Sequence, residues 1–384
     1  MKTIRSHFLF AILISGTILL YGQTPVPAGS VSGTWDLASS PYMINGEIYI
    51  DSLDMLTIEP GVEVRFTGWY KFIVHGSLLA EGTDADQILF TAEDTNSRWH
   101  SIRFMHATGT SVLDHCIVEY AQSKLGSSYQ GPDYAGGGVL CYNSSAASIS
   151  IINSIIRNNI AYMGGGIEII GTYPIIDNCE IINNTAIEGA GIDACAMSSS
   201  STAIIKNSTI AYNHAQTSAG GIWAAVNSNL EIKGNVIKHN IAGNGAGIKI
   251  TVPIELIVSD NIIAHNVSYT TSGGGILICP ANSYVTFRDN TILYNYAAED
   301  GGGAYITQNC SPTFESDIIY FNTSGNSGHN QVHLHGTAGA PFFNYCDIQD
   351  SCAGFSAVSY THLRAHETGR PISYAVFCLK RGGG

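Results

Sequence analysis

These 384 residues contain no stretch with an apolar stripe at helical spacing, and the composition is short of the Leu, Glu and Lys that helices favour. A helical fold is excluded. Charge is scarce as well: Asp, Glu, Lys and Arg make up 12%, and with 17 basic against 30 acidic residues the formal net charge is −13. An acidic chain with so few cations is a poor partner for nucleic acid or an anionic membrane, so neither is expected. There is no CxxC or HExxH spacing and no Asp-rich calcium nonapeptide, so no metal or other cofactor is expected. His333 and His335 alternate onto one strand face, but two histidines fall short of a full ligand set.

What is abundant is glycine, 42 residues of it, together with Asn, Ser and Ile. Two signals recur. A glycine cluster followed by an apolar residue ends at Gly138, Gly166, Gly191, Gly221, Gly247, Gly275 and Gly303, with gaps of 28, 25, 30, 26, 28 and 28. An Asn with Ile three residues earlier occurs at Asn159, Asn184, Asn213, Asn240, Asn266, Asn295 and Asn322, with gaps of 25, 29, 27, 26, 29 and 27. All seven pairs keep the same internal spacing.

A period near 27 decides the architecture. Each unit holds only short strand-like pieces, such as GGGIEII, YPIIDN and CEIINN between Gly164 and Asn184. The expected fold is all-β: a right-handed parallel β-helix whose coils stack like on like at about 4.8 Å. Ile then lies on Ile inside, and the Asn column forms a structural ladder, left-handed at its turn and bonded along the stack. Glycines supply the positive-φ corners. Residues 23–101 read as an N-terminal cap with the first coils, and residues 102–357 as the repeats. Gln122 to Ala135 is the one sizeable insertion in the array.

The two ends read differently. Lys2, Arg5 and His7 precede an apolar run of 14 residues, Phe8 to Tyr21, and Gly22 to Pro25 offer a small-residue break. Spanning a bilayer takes roughly 20 apolar residues, so residues 1–22 are expected to be a secretory signal that leaves no transmembrane segment once removed. From Val358 the repeat stops. Val358 to Thr368 and Ile372 to Leu379 resemble a translated sequencing-library adapter, so residues 358–384 are expected to be non-native.

Export would permit disulfides, but the repeat register argues against them for most cysteines. Cys116, Cys179 and Cys346 share one column, with Ser154 and Ser208 on either side of Cys179; Cys195 and Cys279 share another, with Ala225 and Thr251 between. Columns spaced by whole coils put these thiols out of reach, and buried, reduced cysteines are expected. A Cys346–Cys352 pair stays open.

Strand alternation turns the residue two after each corner glycine outward. The resulting column is Leu140, Glu168, Asp193, Trp223, Lys249, Leu277 and Tyr305. Glu168 and Asp193 on adjacent coils fall near the separation of a retaining glycosidase pair, roughly 5–5.5 Å. Lys249 is a candidate base, and Trp223 and Tyr305 are candidate sugar-stacking faces. The weightier reading is an ordinary polar and aromatic solvent face. A further column, Asn158, Asn183, Tyr212, His239, His265, Tyr294 and Phe321, reads as side chains stacked on one another.

The run LTIEPGVEVRF from Leu56, then GSLLAEGT, ILFTAED and WHSIRF, resembles the start of bacterial secreted right-handed β-helix proteins of the pectin-lyase-like superfamily. The GGGI and Ile-x-x-Asn units are similar to that group's repeats and to those of chlamydial polymorphic outer membrane proteins. The resemblance implies the fold over residues 33–351 but not one function, because the fold carries lyases, hydrolases and adhesins alike. The Asn-Thr-Asp, Asp-Asp, Gly-His-Gly and Arg-Ile-Lys elements of its polygalacturonase-like members do not occur here. The expectation is therefore a monomeric, secreted or cell-surface scaffold, adhesin-like or contacting a polysaccharide or cell-surface glycan. The alternative is a carbohydrate-active lyase or glycosidase working on the Glu168 face.

Overall fold

A computed structural model describes residues 22–126, 128–195, 201–279, 284–326, 328, 330–336 and 341–349. The N-terminal apolar run, Cys352 and the segment from Val358 lie outside these residues. Each strand pairs in parallel with its counterpart one coil away, and three long sheets result. The first has thirteen strands from Thr24–Val26 to Asp347–Ile348; the second has twelve from Gly29–Ser30 to Val332–Leu334; the third has twelve from Gly33–Trp35 to Phe342–Asn344. A fourth sheet of seven, from Ile160–Met163 to Thr323–Ser324, bridges the first to the second. This is a parallel β-solenoid of about 27 residues per turn. Among the described residues the helical content is two short 3-10 turns, Leu37–Ser39 and Pro132–Tyr134, and no helix is long and apolar enough to cross a membrane.

The coils begin at Thr24, so the N-terminal segment is built into the same three faces. Trp35 and Tyr42, stacked 4.6 Å apart, fill that end of the core. Along the array, Ile156, Ile181, Ile210, Ile237, Ile263, Ile292 and Ile319 form a fully buried column. Each such side chain contributes roughly 1.5–3 kcal/mol, and β-branching suits the pleated stack. Phe287, Phe314 and Phe343 stack at 4.5 and 4.7 Å on the third face. Beside the fourth sheet the core narrows to alanines, Ala186, Ala190, Ala215, Ala242 and Ala246. The seven described cysteines are unpaired, and Cys116 and Cys179 are buried as expected.

The Asn ladder runs as a continuous chain. From Asn159 to Asn322 each Nδ2 donates to the next coil's Oδ1 at 3.0–3.1 Å. Each Nδ2 also donates to an Ile or Val carbonyl of the preceding coil, as Asn240 does to Ile210 O at 2.9 Å. The left-handed residue is not the ladder Asn, however, but the one before it. Asn158, Asn183, Tyr212, His239, His265, Tyr294 and Phe321 have φ between 54° and 58°. That conformer aims the ladder amide inward and leaves the preceding side chain in solvent.

The glycines divide in the same way. The first of the cluster is left-handed, as at Gly164, Gly189 and Gly245 with φ of 63°, 62° and 58°, except in the cluster ending at Gly221, where Ala219 takes that conformation at φ 57°. The last, whose spacing sets the period, is needed for close approach instead. A Cβ on Gly247 would lie 2.3 Å from Gly275 O and 3.1 Å from Asn266 Nδ2. Gly247→Ala should therefore lose about 2–3 kcal/mol. Gly234, at φ 66° in a column shared with Asn207 and Asp260, should accept Gly234→Asn with a change within about 1 kcal/mol. Paired denaturant titrations of the two variants read the contrast.

Candidate functional site

The proposed column exists in the expected register. Leu140 pairs with Glu168, Glu168 with Asp193, Asp193 with Trp223, Trp223 with Lys249, Lys249 with Leu277 and Leu277 with Tyr305. Its exposure differs from expectation. Glu168 and Asp193 are both 0% exposed, Leu140 and Leu277 are buried, and Trp223, Lys249 and Tyr305 are only half-exposed. A left-handed corner four residues earlier lies close against the column side chain at both carboxylates. A Cβ on Gly164 would sit 2.6 Å from Glu168 Oε2, and one on Gly189 would sit 2.7 Å from Asp193 Cβ.

The carboxylates thus share a dry compartment. Glu168 Oε2 and both Asp193 oxygens have no hydrogen-bond partner, and Cys195 Sγ stands 4.0 Å from Glu168 Oε1. Burial, with the neighbouring carboxylates of Asp193 and Glu188, holds Glu168 well above the usual range. Burial, then Glu188, pushes Asp193 up to about 8. Lys249 makes no hydrogen bond to the pair but lies within its electrostatic reach: its Nζ donates to Ser218 Oγ at 2.8 Å and lies 4.8 Å from the Trp223 ring centroid, and its charge favours ionised Asp193. Burial lowers its pKa. Neither stacking face is free on both sides, since Trp223 carries Lys249 and Tyr305 stacks on His333 at 5.1 Å and His335 at 5.8 Å. Among the described residues no three His, Cys, Asp or Glu side chains gather as metal ligands.

The inserted loop is a pinned cover. Arg103, 1% exposed, donates to Pro132 O at 2.7 Å and Ala135 O at 3.3 Å, and Lys71 Nζ meets Asp133 at 3.0 Å. Trp69 Nε1 donates to Gln122 O at 2.7 Å, and its ring lies 4.6 Å from that of His100. Burial, then Arg103, lowers the His100 pKa to about 3, so this buried imidazole is neutral.

Two solvent-facing features complete the picture. Tyr212, His239, His265, Tyr294 and Phe321 stack in one row at 5.0–5.2 Å, as the spacing predicts. On another corner, an open groove of about 260 Å³ is lined by Asp84, Gln87, Asn153, Asn178, Asn207 and Glu180, among others. Its amides bond across coils: Asn178 Nδ2 to Asn153 Oδ1 and Asn207 Nδ2 to Asp177 Oδ1, both at 2.8 Å. A second internal ladder also escaped the sequence reading. Asn235, Asn261, Asn290 and Asp317 bond in sequence at 3.0, 2.9 and 2.8 Å. The signal was present, since each stands five residues before a ladder Asn.

A family model described as "Right handed beta helix region" matches residues 93–251, 137–319 and 200–367, which together span most of the chain. No curated protein and no solved structure matches it.

Proposed function

We propose that this chain, which belongs to the right-handed β-helix family, is a secreted or surface-displayed scaffold that contacts glycans without cleaving them. The observation that carries this reading is the sealed state of the carboxylate pair. A glycosidase pair must reach both sides of a glycosidic bond, whereas Glu168 and Asp193 have no exposed surface. The inserted loop from Gln122 to Ala135 is pinned down by Arg103 and Lys71. A chain-like ligand is better served by the Asn153–Asn178–Asn207 groove, where amides repeat along the axis at the coil rise of about 4.8 Å. Asp84 and Glu180 on its walls favour neutral hydroxyl-rich chains over uronates. Export follows from the basic and apolar N-terminal pattern.

A second reading keeps one point in its favour. Asp193 stays protonated near neutral pH, which is what a general acid requires. Incubating the full chain with neutral and acidic polysaccharides separates the two. Retention of a neutral polymer without new reducing ends or unsaturated products is expected. Asn178→Gly/Asn207→Gly should weaken that retention about tenfold while leaving the fold intact, since Gly234 already occupies this column. Cleavage that disappears in Glu168→Gln/Asp193→Asn would establish the enzyme instead.

A further inference from the structure

We infer that the solvent face of the coils between Thr209 and Thr323 is a self-association surface whose partner is a second copy of this chain. It is carried by the row of five stacked rings together with the aliphatic side chains beside it. Tyr212, Tyr294 and Phe321 stand 49–53% exposed, and Ile241, Ile262 and Ile318 stand 40–46% exposed. Tyr296, 40% exposed, adds a fourth large ring to the rim of the row. Strand pairing puts these on consecutive coils of the first and fourth sheets, so they form one stripe along the axis.

Ring stacking accounts for part of this arrangement. An L-residue in the left-handed conformer costs roughly 1–2 kcal/mol, which each stacked ring pair offsets by about 0.5–1.5 kcal/mol. Stacking does not account for the aliphatic side chains left in water. Scattered single apolar residues are ordinary, but a contiguous stripe marks a docking face.

The chemistry selects the occupant. In the ring row and, as far as Thr323, in the columns beside it that begin at Thr209, Ala211 and His214, Lys238 is the one formally charged residue, in a chain of net charge −13. Depletion of charge at the centre of a patch is the signature of a protein interface. A sugar chain needs open ring faces, and here neighbouring rings lie against each other at interplanar angles of 5–12°. A second copy presents the same stripe with the same rise, so rung meets rung along the whole length, as an isologous contact requires. Seven side chains about half exposed offer roughly 600–700 Å², and the smaller residues between them bring this near the ~800 Å² per partner of a stable interface. The surface goes beyond the glycan-contacting reading and replaces the expectation of a monomer.

Sedimentation of the full chain over roughly 1–100 μM tests it, the range in which a modest interface of this size dissociates. A concentration-dependent dimer is expected. Tyr212→Asn/Tyr294→Asn/Phe321→Asn should raise its Kd at least tenfold without unfolding the coils, because Asn158 and Asn183 already hold the same column. Ile262→Lys, on the aliphatic side, should do the same. Leu53→Asp, at a fully exposed site far along the sequence, should leave the dimer unchanged. A monomer throughout the range overturns the inference, and so does a dimer indifferent to both stripe variants. Loss of polysaccharide retention in a stripe variant that remains monomeric as wild type would assign the face to glycan and overturn it equally.

Discussion

Asn240→Ala is expected to cost about 2–4 kcal/mol, as is the same truncation at the other interior ladder positions, which make the same bonds. The Asn240 side chain accepts from both the backbone N–H and the Nδ2 of Asn213, at 3.1 and 3.0 Å, and donates to Ile210 O and Asn266 Oδ1. Alanine leaves the Asn213 N–H buried without a partner, at a cost of roughly 1–3 kcal/mol, and takes from the Ile210 carbonyl one of its two donors, the other being its strand neighbour's N–H. Asn240→Asp is no rescue, because the carboxylate cannot donate and would bring a charge into the core. The readout is hydrogen exchange at the Asn213 amide alongside a urea titration, since a solenoid need not unfold as one unit. Protection lost at Asn213 with the distant coils intact is the expected pattern. An unchanged midpoint would mean that water enters the turn and satisfies these groups.

The second large effect is pH-dependent. The folded chain raises Asp193 from the ordinary carboxylate range to about 8, because burial and the nearby Glu188 carboxylate outweigh the Ala194 N–H and Lys249, which favour its charge. A carboxyl whose pKa is higher folded than unfolded contributes stability fully below its unfolded value of 3.8, and that contribution is lost as pH rises toward about 8. Wild-type stability should therefore fall across this interval, by an amount on the order of 3–6 kcal/mol. Asp193→Asn should remove the share of the slope that belongs to Asp193 and leave the share that burial of Glu168 contributes, and its amide can donate toward Glu168. The variant should match wild type in acid and exceed it above about pH 8. Parallel denaturant titrations on either side of that value decide it; equal slopes for the two proteins would show the pair to be solvated.

The periodicity carried the fold because each coil repeats the same demands. A buried Ile like Ile237 and an amide like Asn240 recur in seven successive turns, and no helix or alternative sheet satisfies both. Register followed as well, so the alignment of Glu168 with Asp193 and of Tyr212 with His239 was legible. Exposure was not. Alternation tells which side of a strand Glu168 leaves from, but not how closely neighbouring backbone such as Gly164 approaches it on that side. The left-handed conformer was credited to the ladder asparagines, its commonest residents, when Tyr212, Tyr294 and Phe321 adopt it. The second ladder was hidden because Ser154, Cys179 and Ser208 occupy its slot in the earlier coils, leaving Asn235, Asn261 and Asn290 without a long enough run to stand out.

The amide ladders have a direction. Each Nδ2 points to the Oδ1 of the following coil, so the side-chain dipoles add head to tail and every bond polarises the next. The acceptor end of the longer ladder lies at Asn159, whose Oδ1 takes the Ala121 N–H. Its donor end lies at Asn322, which closes on Gln331 Oε1 at 2.8 Å. The shorter ladder closes on Asp317, an acceptor that burial pushes up to about 6. With that carboxylate ionised, a negative charge sits where the aligned donors converge, as an anion does at the start of a helix. The solenoid is thus electrically polar along its length, and a link broken in mid-ladder weakens its neighbours on both sides, while a link broken at an end weakens only one.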